Sequence, residues 1–399
     1  MLKEHTPAST AHLVLVGLLL WLAGLYLRIP VLVAPALAPD IAAELALSQA
    51  LTGALTTLPI LMLAIGAMPG SLAISRLGPR HTLALAMLVM VLGSAGRALV
   101  PDATALMVAS AVMGLGVAMM QPALPALLPR WLAPHHLAMG TAIYMNGMLM
   151  GEFIGAGITR PLILPMVEHS WRQALLVWSL PALLVTAALY LPRRDSARPA
   201  QRPAWLPDWR NPLTLKLGLL LGLSGSLFFG FNAYLGNLLE QRGELERLSD
   251  ALFWYNLAQV FASLIMLKMA RRWVGNRTVI LVMALGAIAG ALGSVLTDGT
   301  LAIASATFMS LTAGILLILL VALPPLLVSA ADTGRLSAGN FLVGYTIAFG
   351  VPTLGGLIAD ATGDVRHAIF TMVAYAVAVL PLALTLDLRR ARSPAPQTH

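Results

Sequence analysis

Twelve long apolar segments follow one another along this chain of 399 residues, and they constrain its fold more than any other feature. A helix needs about 20 apolar residues to cross the hydrocarbon core of a bilayer, and it satisfies its own backbone there. The composition agrees, because 58% of the residues are hydrophobic and only 11% are charged. We therefore predict an all-α membrane protein with twelve transmembrane helices, over about 12–34, 49–75, 82–100, 103–129, 136–165, 172–191, 213–239, 249–270, 276–296, 300–328, 334–359 and 366–388.

The charged residues predict how these helices are oriented. Arginine and lysine concentrate in every second connection, whereas the connections between them are mainly acidic. Because short cytoplasmic loops carry the excess of Lys and Arg, both termini are expected in the cytoplasm. The net charge of +8 thus reflects topology, and no single basic patch suggests nucleic acid as a partner.

One connection is longer than the others and divides the chain. The segment 192–212 holds five prolines and five arginines, which is typical of a linker rather than a packed domain. We predict an N-terminal six-helix bundle (1–191), a cytoplasmic linker (192–212) and a C-terminal six-helix bundle with a short cytoplasmic tail (213–399). A short interfacial helix is expected outside the membrane at Pro35–Leu47.

Apart from arginines at the first or second position of a span, three lie inside the predicted spans: Arg28, Arg97 and Arg160. A guanidinium stays charged, and placing it at membrane depth costs roughly 2.5–3.5 kcal/mol on insertion scales. Such residues usually face a protein interior or an aqueous cavity. Arg28 and Arg97 are expected at similar depth, where together they can clamp a small anion, whereas Arg160 lies nearer the outside end. The alternative is that each arginine binds helix carbonyls or an acid and only holds helices in place.

Glu152 is the one acid expected deep within a span. A carboxylate there can bind and release protons. Carrying one proton with a monovalent anion would cancel an electrical cost of about 2.3 kcal/mol per 100 mV. The alternative is a plain ion pair between Glu152 and Arg28, Arg97 or Arg160.

Small residues mark the predicted spans five and eleven. Gly151 and Gly155 are four residues apart in the first, and Gly350 and Pro352 lie in the second. Such residues let helices approach closely or bend, so these four are candidates for gating elements. Simple helix packing is the alternative.

Polar and aromatic side chains in other spans would complete a cavity between the halves. Phe341 and Tyr345 are four residues apart and share one helix face. An aromatic wall suits a flat heterocycle, and an arginine pocket suits a small anion. The further candidates for substrate contact are Gln121, Asn232, Tyr234 and Asn256.

Several functional classes lack their signatures. There is no nucleotide-binding loop, no histidine cluster within a span and no cysteine. We therefore expect no cofactor and no metal site. A membrane enzyme or a receptor is disfavoured, because the chain offers neither a catalytic cluster nor a sizeable soluble domain.

Two connections bring out a family resemblance. Tight basic turns follow span two (Gly70–Arg80) and span eight (Lys268–Arg277). With the 6+6 division, they resemble the major facilitator superfamily, whose loop reads Gly-x-Leu-Ala-Asp-Arg-x-Gly-Arg-Arg. Gly70, Leu72 and Ala73 match this loop, but Ile74 replaces its Asp. The resemblance implies two bundles that rock about a central site, with Arg76 and Arg80 among the gating residues.

Three stretches resemble a narrower group, the cyanate/nitroimidazole permeases (CynX/NimT type). They are Leu27-Arg28 with the run Ser48–Pro59, then Gly93-x-x-x-Arg97, and finally Gly344–Gly363. This resemblance implies a secondary transporter for a small anion or small polar heterocycle, in the bacterial inner membrane. We expect a monomer in contact with lipid, and proton coupling is a further hypothesis. An efflux permease for toxic or drug-like compounds is the alternative.

Overall fold

The computed structural model describes residues 10–133, 136–192, 209–328 and 330–388. Every regular element in those ranges is a helix, so the predicted all-α class is confirmed. In the first half these are α1 (Thr10–Tyr26), α2 (Ile29–Leu45), α3 (Gln49–Leu77), α4 (Pro79–Gly96), a 3-10 turn (Arg97–Leu99), α5 (Ala103–Trp131), α6 (Leu137–Phe153), a π segment (Ile154–Ile163), α7 (Leu164–Met166), α8 (Trp171–Ser179) and α9 (Pro181–Ala188).

The second half repeats this plan after the linker. Its elements are α10 (Pro212–Gly225), a π segment (Ser226–Gly230), α11 (Phe231–Gln241), a 3-10 turn (Leu245–Arg247), α12 (Leu248–Trp273), α13 (Arg277–Leu296), α14 (Gly299–Val321), α15 (Pro324–Leu327), α16 (Ala330–Thr362), α17 (Arg366–Val379) and a 3-10 turn (Leu380–Thr385). The predicted linker, 192–212, lies mostly outside the described residues.

The structure accounts for twelve spans. Among the residues that the structure describes, eleven helical segments are long and apolar enough to cross a membrane. The twelfth is the predicted fifth span, a helical rod in which α6, the π segment and α7 follow one another for 17, 10 and 3 residues. At about 1.5 Å per residue these segments together extend roughly 45 Å, which is more than enough to cross a bilayer core of about 30 Å. Its polar residues, Glu152 and Arg160 among them, make it the least typical span.

The first span differs from its prediction. It is broken at Leu27 and Arg28, and α2 then continues to Leu45 instead of ending near residue 34. The prediction of a separate interfacial helix at Pro35–Leu47 is therefore wrong, because α2 runs without a break through this stretch to Leu45, and the first residues of the stretch, Pro35–Pro39, are buried. The physical reason is Pro30 in the first turn of α2, since proline has no N–H with which to continue the hydrogen bonding of α1.

Glycines allow span one to pack directly on span five. A Cβ atom added to Gly147 would lie 2.2 Å from the carbonyl oxygen of Trp21, and one added to Gly151 would lie 2.4 Å from that of Leu25. One turn further, the distance from Gly155 to the oxygen of Ile29 would be 3.0 Å. Backbones can approach this closely only where no side chain intervenes.

The two ends of the molecule differ in charge. We call the end formed by the connections 46–48, 100–102, 167–170, 242–244, 297–298 and 363–365 the acidic end, because the acids near helix termini cluster there. At this end the side chains of Ser48 and Asp102 accept hydrogen bonds from the first turns of α3 and α5. The opposite, basic end carries Arg76, Arg80 and Arg277.

Candidate functional site

An arginine–glutamate pair is buried between span one and span five. Nε of Arg28 lies 2.9 Å from Oε1 of Glu152, and each side chain is 7% exposed. Arg28 stands at the break between α1 and α2, and the tight glycine seam beside it brings α6 close enough for the contact. The ion pair that was the alternative prediction for Glu152 is therefore present, and its cation is Arg28.

The second half of the molecule reaches this pair through an aromatic ring. The guanidinium carbon of Arg28 lies 5.7 Å from the ring centroid of Phe229, within the range of a cation–π contact. Phe229 belongs to the π segment of span seven, and Glu152 is the penultimate residue of α6, just before the π segment of span five. Such segments are frequent at functional sites.

An aromatic cluster stands behind Phe229. The ring of Phe228 packs edge-on against Phe229 at 4.9 Å and is stacked on Tyr255 at 5.6 Å. Phe231 stacks on Tyr255 as well, and the Tyr255 hydroxyl donates to the carbonyl oxygen of Phe228 at 2.9 Å. Phe229 is thus supported by a rigid group of rings.

Arg97 lies beside the same break but binds backbone. Its Nη2 donates to the carbonyl oxygen of Pro30 at 2.8 Å and to Oγ of Ser94 at 3.0 Å, and the residue is 1% exposed. Its guanidinium therefore satisfies a carbonyl next to the helix break. The geometry favours the structural alternative for Arg97, and its contact with substrate stays a prediction.

Arg160 is bound to an acid near the acidic end. Its Nη1 donates to Oδ2 of Asp40 at 2.8 Å and to the carbonyl oxygen of Ala36 at 3.1 Å. These bonds connect α2, the second part of span one, to span five. Of the three arginines, only Arg28 has the acid of the predicted proton site as its partner.

The predicted polar residues of spans seven and eight meet as a pair. Nδ2 of Asn232 donates to Oδ1 of Asn256 at 2.9 Å, and both side chains are fully buried. Within the described residues, Oδ1 of Asn232 has no hydrogen-bond partner, so it can accept one from a ligand. Asn256 in turn donates to the carbonyl oxygen of Leu252.

The remaining predicted contacts lie in other places. Phe341 and Tyr345 are stacked on one face of α16, with ring centroids 5.5 Å apart, as their spacing indicated. Gln121 is half-buried in α5. Tyr234 is buried, and its hydroxyl donates to the carbonyl oxygen of Pro352 at 2.9 Å. This bond places Tyr234 between spans seven and eleven.

The predicted gating residues are placed within single bundles. Gly151 and Gly155 line the seam between spans one and five, and Gly350 has no atom within 4 Å of an added Cβ. Arg80 donates to the carbonyl oxygen of Pro192 at 2.6 Å, which joins spans three and six. Arg76 is exposed. A role in gating stays a prediction for each of them.

The halves also meet at two places that the sequence did not reveal. In spans five and eight, Phe153 and Phe253 pack edge to face at 5.1 Å. At the acidic end, the backbone N–H of Gln49 donates to Asp360 at 2.6 Å across 311 positions of sequence. No local pattern predicts contacts between residues so far apart, although both residues of the second contact lie in stretches that carry the family resemblance.

The comparisons with known proteins agree with this architecture. The pattern of the Major Facilitator Superfamily matches residues 13–351, and the chain belongs to this superfamily. It is therefore a multi-pass membrane transporter and not an enzyme.

Two relatives confirm the resemblance to the narrower group. The cyanate transport protein CynX of Escherichia coli K12 is 26% identical over 317 residues, which cover 77% of this chain and 80% of that protein. The 2-nitroimidazole transporter of the same organism is 28% identical over 338 residues, which cover 83% of each chain.

Solved structures share the fold. A bacterial homologue of the human lysosomal transporter Spinster, in an inward-facing and occupied conformation, superposes with a TM-score of 0.77 at 17% identity, covering 97% of this chain and 100% of that one. The inward-open xylose transporter XylE of E. coli gives a TM-score of 0.71 at 15% identity, covering 91% and 94%. At these identities the likeness establishes the fold alone.

Proposed function

We propose that this protein moves a small anion together with a proton, and that the Arg28–Glu152 pair is the centre of the site. The observation that carries the proposal is the pairing itself. A fixed cation buried in the membrane is held by a carboxylate and touched by a ring from the other bundle. The relatives that transport cyanate and 2-nitroimidazole support a small, flat substrate.

The pairing suggests how anion and proton are coupled. In the free site Glu152 contacts Nε of the Arg28 guanidinium, and in our proposal an incoming anion takes its place there. A guanidinium binds a carboxylate-like anion through parallel charge-assisted hydrogen bonds, which favours the exchange. The displaced Glu152 is then a buried carboxylate without a cation, and it takes up a proton, because burial penalises its charged form.

The charges balance at each step. The free site carries one positive and one negative group. The loaded site carries the Arg28 cation, the bound anion and a neutral Glu152, so its net charge is again zero. One anion and one proton therefore cross together, and the membrane potential does no work on the loaded carrier. When the anion leaves, Glu152 returns its proton and pairs with Arg28 again.

The rest of the assignment follows the charge pattern and the relatives. With the acidic end outside, both termini lie in the cytoplasm, as expected from the positive-inside rule. We place the protein in the bacterial inner membrane as a monomer. The direction of net transport then follows the gradients of the anion and the proton.

A second candidate rests on the ring beside Arg28. Phe229 and the cluster behind it offer a flat apolar wall, which suits a neutral heterocycle. In that case the protein is a permease that exports such compounds, and the ion pair is structural. This candidate predicts binding that does not depend on Arg28.

A thermal-shift experiment on detergent-purified protein separates the two. Cyanate and other small anions are compared with 2-nitroimidazole and related neutral heterocycles, in wild type, Arg28→Ala and Arg160→Ala. A ligand that binds the folded state raises the unfolding temperature by mass action. Stabilisation by an anion that is lost in Arg28→Ala and kept in Arg160→Ala supports the proposal. Stabilisation only by neutral heterocycles, equal in all three proteins, refutes it in favour of export.

A further inference from the structure

A carboxylate of the second bundle caps a helix of the first at the acidic end. Oδ1 and Oδ2 of Asp360, in the last turn of α16, accept hydrogen bonds from the backbone N–H groups of Gln49 at 2.6 Å and Ala50 at 3.0 Å. Gln49 and Ala50 are the first two residues of α3. Both oxygens of one side chain are therefore used on one helix terminus.

The contact satisfies backbone N–H groups at the start of α3. The first N–H groups of a helix have no partners within it. Ser48 supplies its own side chain, but only to the N–H of Leu51, at 3.3 Å. The two N–H groups before that are the ones that Asp360 takes. The helix dipole and the charge on the acceptor strengthen such bonds beyond those between neutral groups.

Two further contacts surround this cap. Nδ2 of Asn237 in α11 donates to Oε1 of Gln49 at 2.6 Å. The Tyr234 hydroxyl lies so close to Gly53 and Gly356 that an added Cβ at either glycine would stand 2.0 or 2.2 Å from it. Spans two, seven and eleven thus meet here without space between them. A path for substrate between the two bundles is therefore closed at this end.

We call this closed contact of spans two, seven and eleven the gate. We propose that Asp360 stabilises its closed state by joining α16 to α3. A carrier with two rocking bundles must separate spans two and eleven whenever its site opens to the acidic end. Asp360 can cap α3 only while they are together, so its bonds stabilise the shut arrangement and are broken in each cycle. Asp360 is thus a positioning residue that touches no substrate. The inference depends on the superfamily fold and is independent of the proposed substrate.

Asp364 provides a matched control. It lies one turn beyond Asp360 and is also a carboxylate at the acidic end, but its partner is Arg366 of its own bundle, with Nε 2.8 Å from Oδ2. Asp360→Asn and Asp364→Asn therefore remove the same charge from the same region. Only the first weakens a contact between the bundles.

The test follows the distance between the bundles in single molecules. The chain has no cysteine, so Ala43→Cys and Thr300→Cys, exposed residues on opposite bundles near the acidic end, introduce the only two labelling sites. Fluorescence energy transfer between dyes at these positions, in lipid nanodiscs, gives the ratio of open to shut dwell times. We expect Asp360→Asn to raise that ratio roughly five- to tenfold, because the amide keeps only one uncharged acceptor oxygen for the two N–H groups, and Asp364→Asn to leave it within twofold.

A second pair of variants isolates the hydrogen bond itself. Gln49→Ala removes the contact with Asn237 and keeps the backbone N–H, whereas Gln49→Pro removes both. Proline is well tolerated in the first turn of a helix, and the extended conformation of Ser48 (ψ 164°) suits a following proline. The proposal requires Gln49→Pro to open the gate more than Gln49→Ala does. Equal ratios for these two variants, or for the Asp360 and Asp364 variants, would overturn it.

Discussion

Replacing Glu152 by glutamine tests whether that carboxylate competes with the transported anion. In the proposed exchange an anion that binds Arg28 breaks a buried pair with an N–O distance of 2.9 Å. At an effective dielectric constant of about 20, two charges at that distance attract by about 6 kcal/mol before desolvation is counted. Much of this is recovered when the anion takes the place of Glu152.

In Glu152→Gln the anion should bind more tightly. The gain in binding free energy is the part of the Arg28–Glu152 attraction that the anion does not recover in the wild type. A hydrogen bond to a charged group contributes about 1.5–3 kcal/mol net. Glutamine can be displaced without leaving a charge behind, so anion binding should tighten by roughly 10- to 150-fold at neutral pH. Tighter binding should come with loss of accumulation, because no proton is carried.

The same competition makes anion affinity depend on pH. In the wild type each bound anion requires a proton on Glu152, so affinity should rise as the pH falls, by up to about tenfold per pH unit. In Glu152→Gln it should be nearly constant. Titration calorimetry on purified protein between about pH 5 and pH 8 measures both. Binding that is no tighter in the variant, with the pH dependence of the wild type retained, would refute the competition.

Two further predictions concern packing and the acidic end. Gly151→Ala should lower the free energy of unfolding by about 1–3 kcal/mol, because its methyl group would overlap the carbonyl oxygen of Leu25. Gly350→Ala, with open space around it, should change thermal unfolding little. Equal effects of the two variants would contradict the close packing of spans one and five. The Arg366 guanidinium holds the pKa of the Asp364 carboxyl below its usual value, so this contact stabilises the folded protein at neutral pH and is lost as the pH falls through the lowered pKa. Wild type and Asp364→Asn should therefore differ by about 1–2 °C in melting temperature near pH 7 and converge once the pH falls below that lowered pKa, and a constant difference across the titration would exclude the linkage.

Features with a strong local signal could be predicted from the sequence. The apolar runs indicated the twelve spans, because membrane thickness fixes their length. Arg28 and Glu152 stood out because charge inside a span is costly. That Glu152 pairs with Arg28, and not with Arg97 or Arg160, depends on how spans one and five are aligned, and the sequence left all three open.

Features that depend on long-range geometry could not be predicted. Pro30 was visible, but proline also occurs within unbroken membrane helices, so the break at Arg28 required the structure. The cap that Asp360 gives α3 joins residues 310 and 311 positions apart and has no periodic or compositional signature. The contact of Phe229 with Arg28 depends on how the two bundles face each other.

Proton uptake on anion binding tests the central claim most directly. Purified protein in weakly buffered solution with a pH indicator is titrated with a small anion, beginning with cyanate, to saturation. We expect the wild type to take up about one proton per anion bound in the pH range where Glu152 is charged in the free site, and Glu152→Gln to bind the anion without proton uptake. Saturable anion binding by the wild type with no proton uptake at any pH in that titration would contradict it.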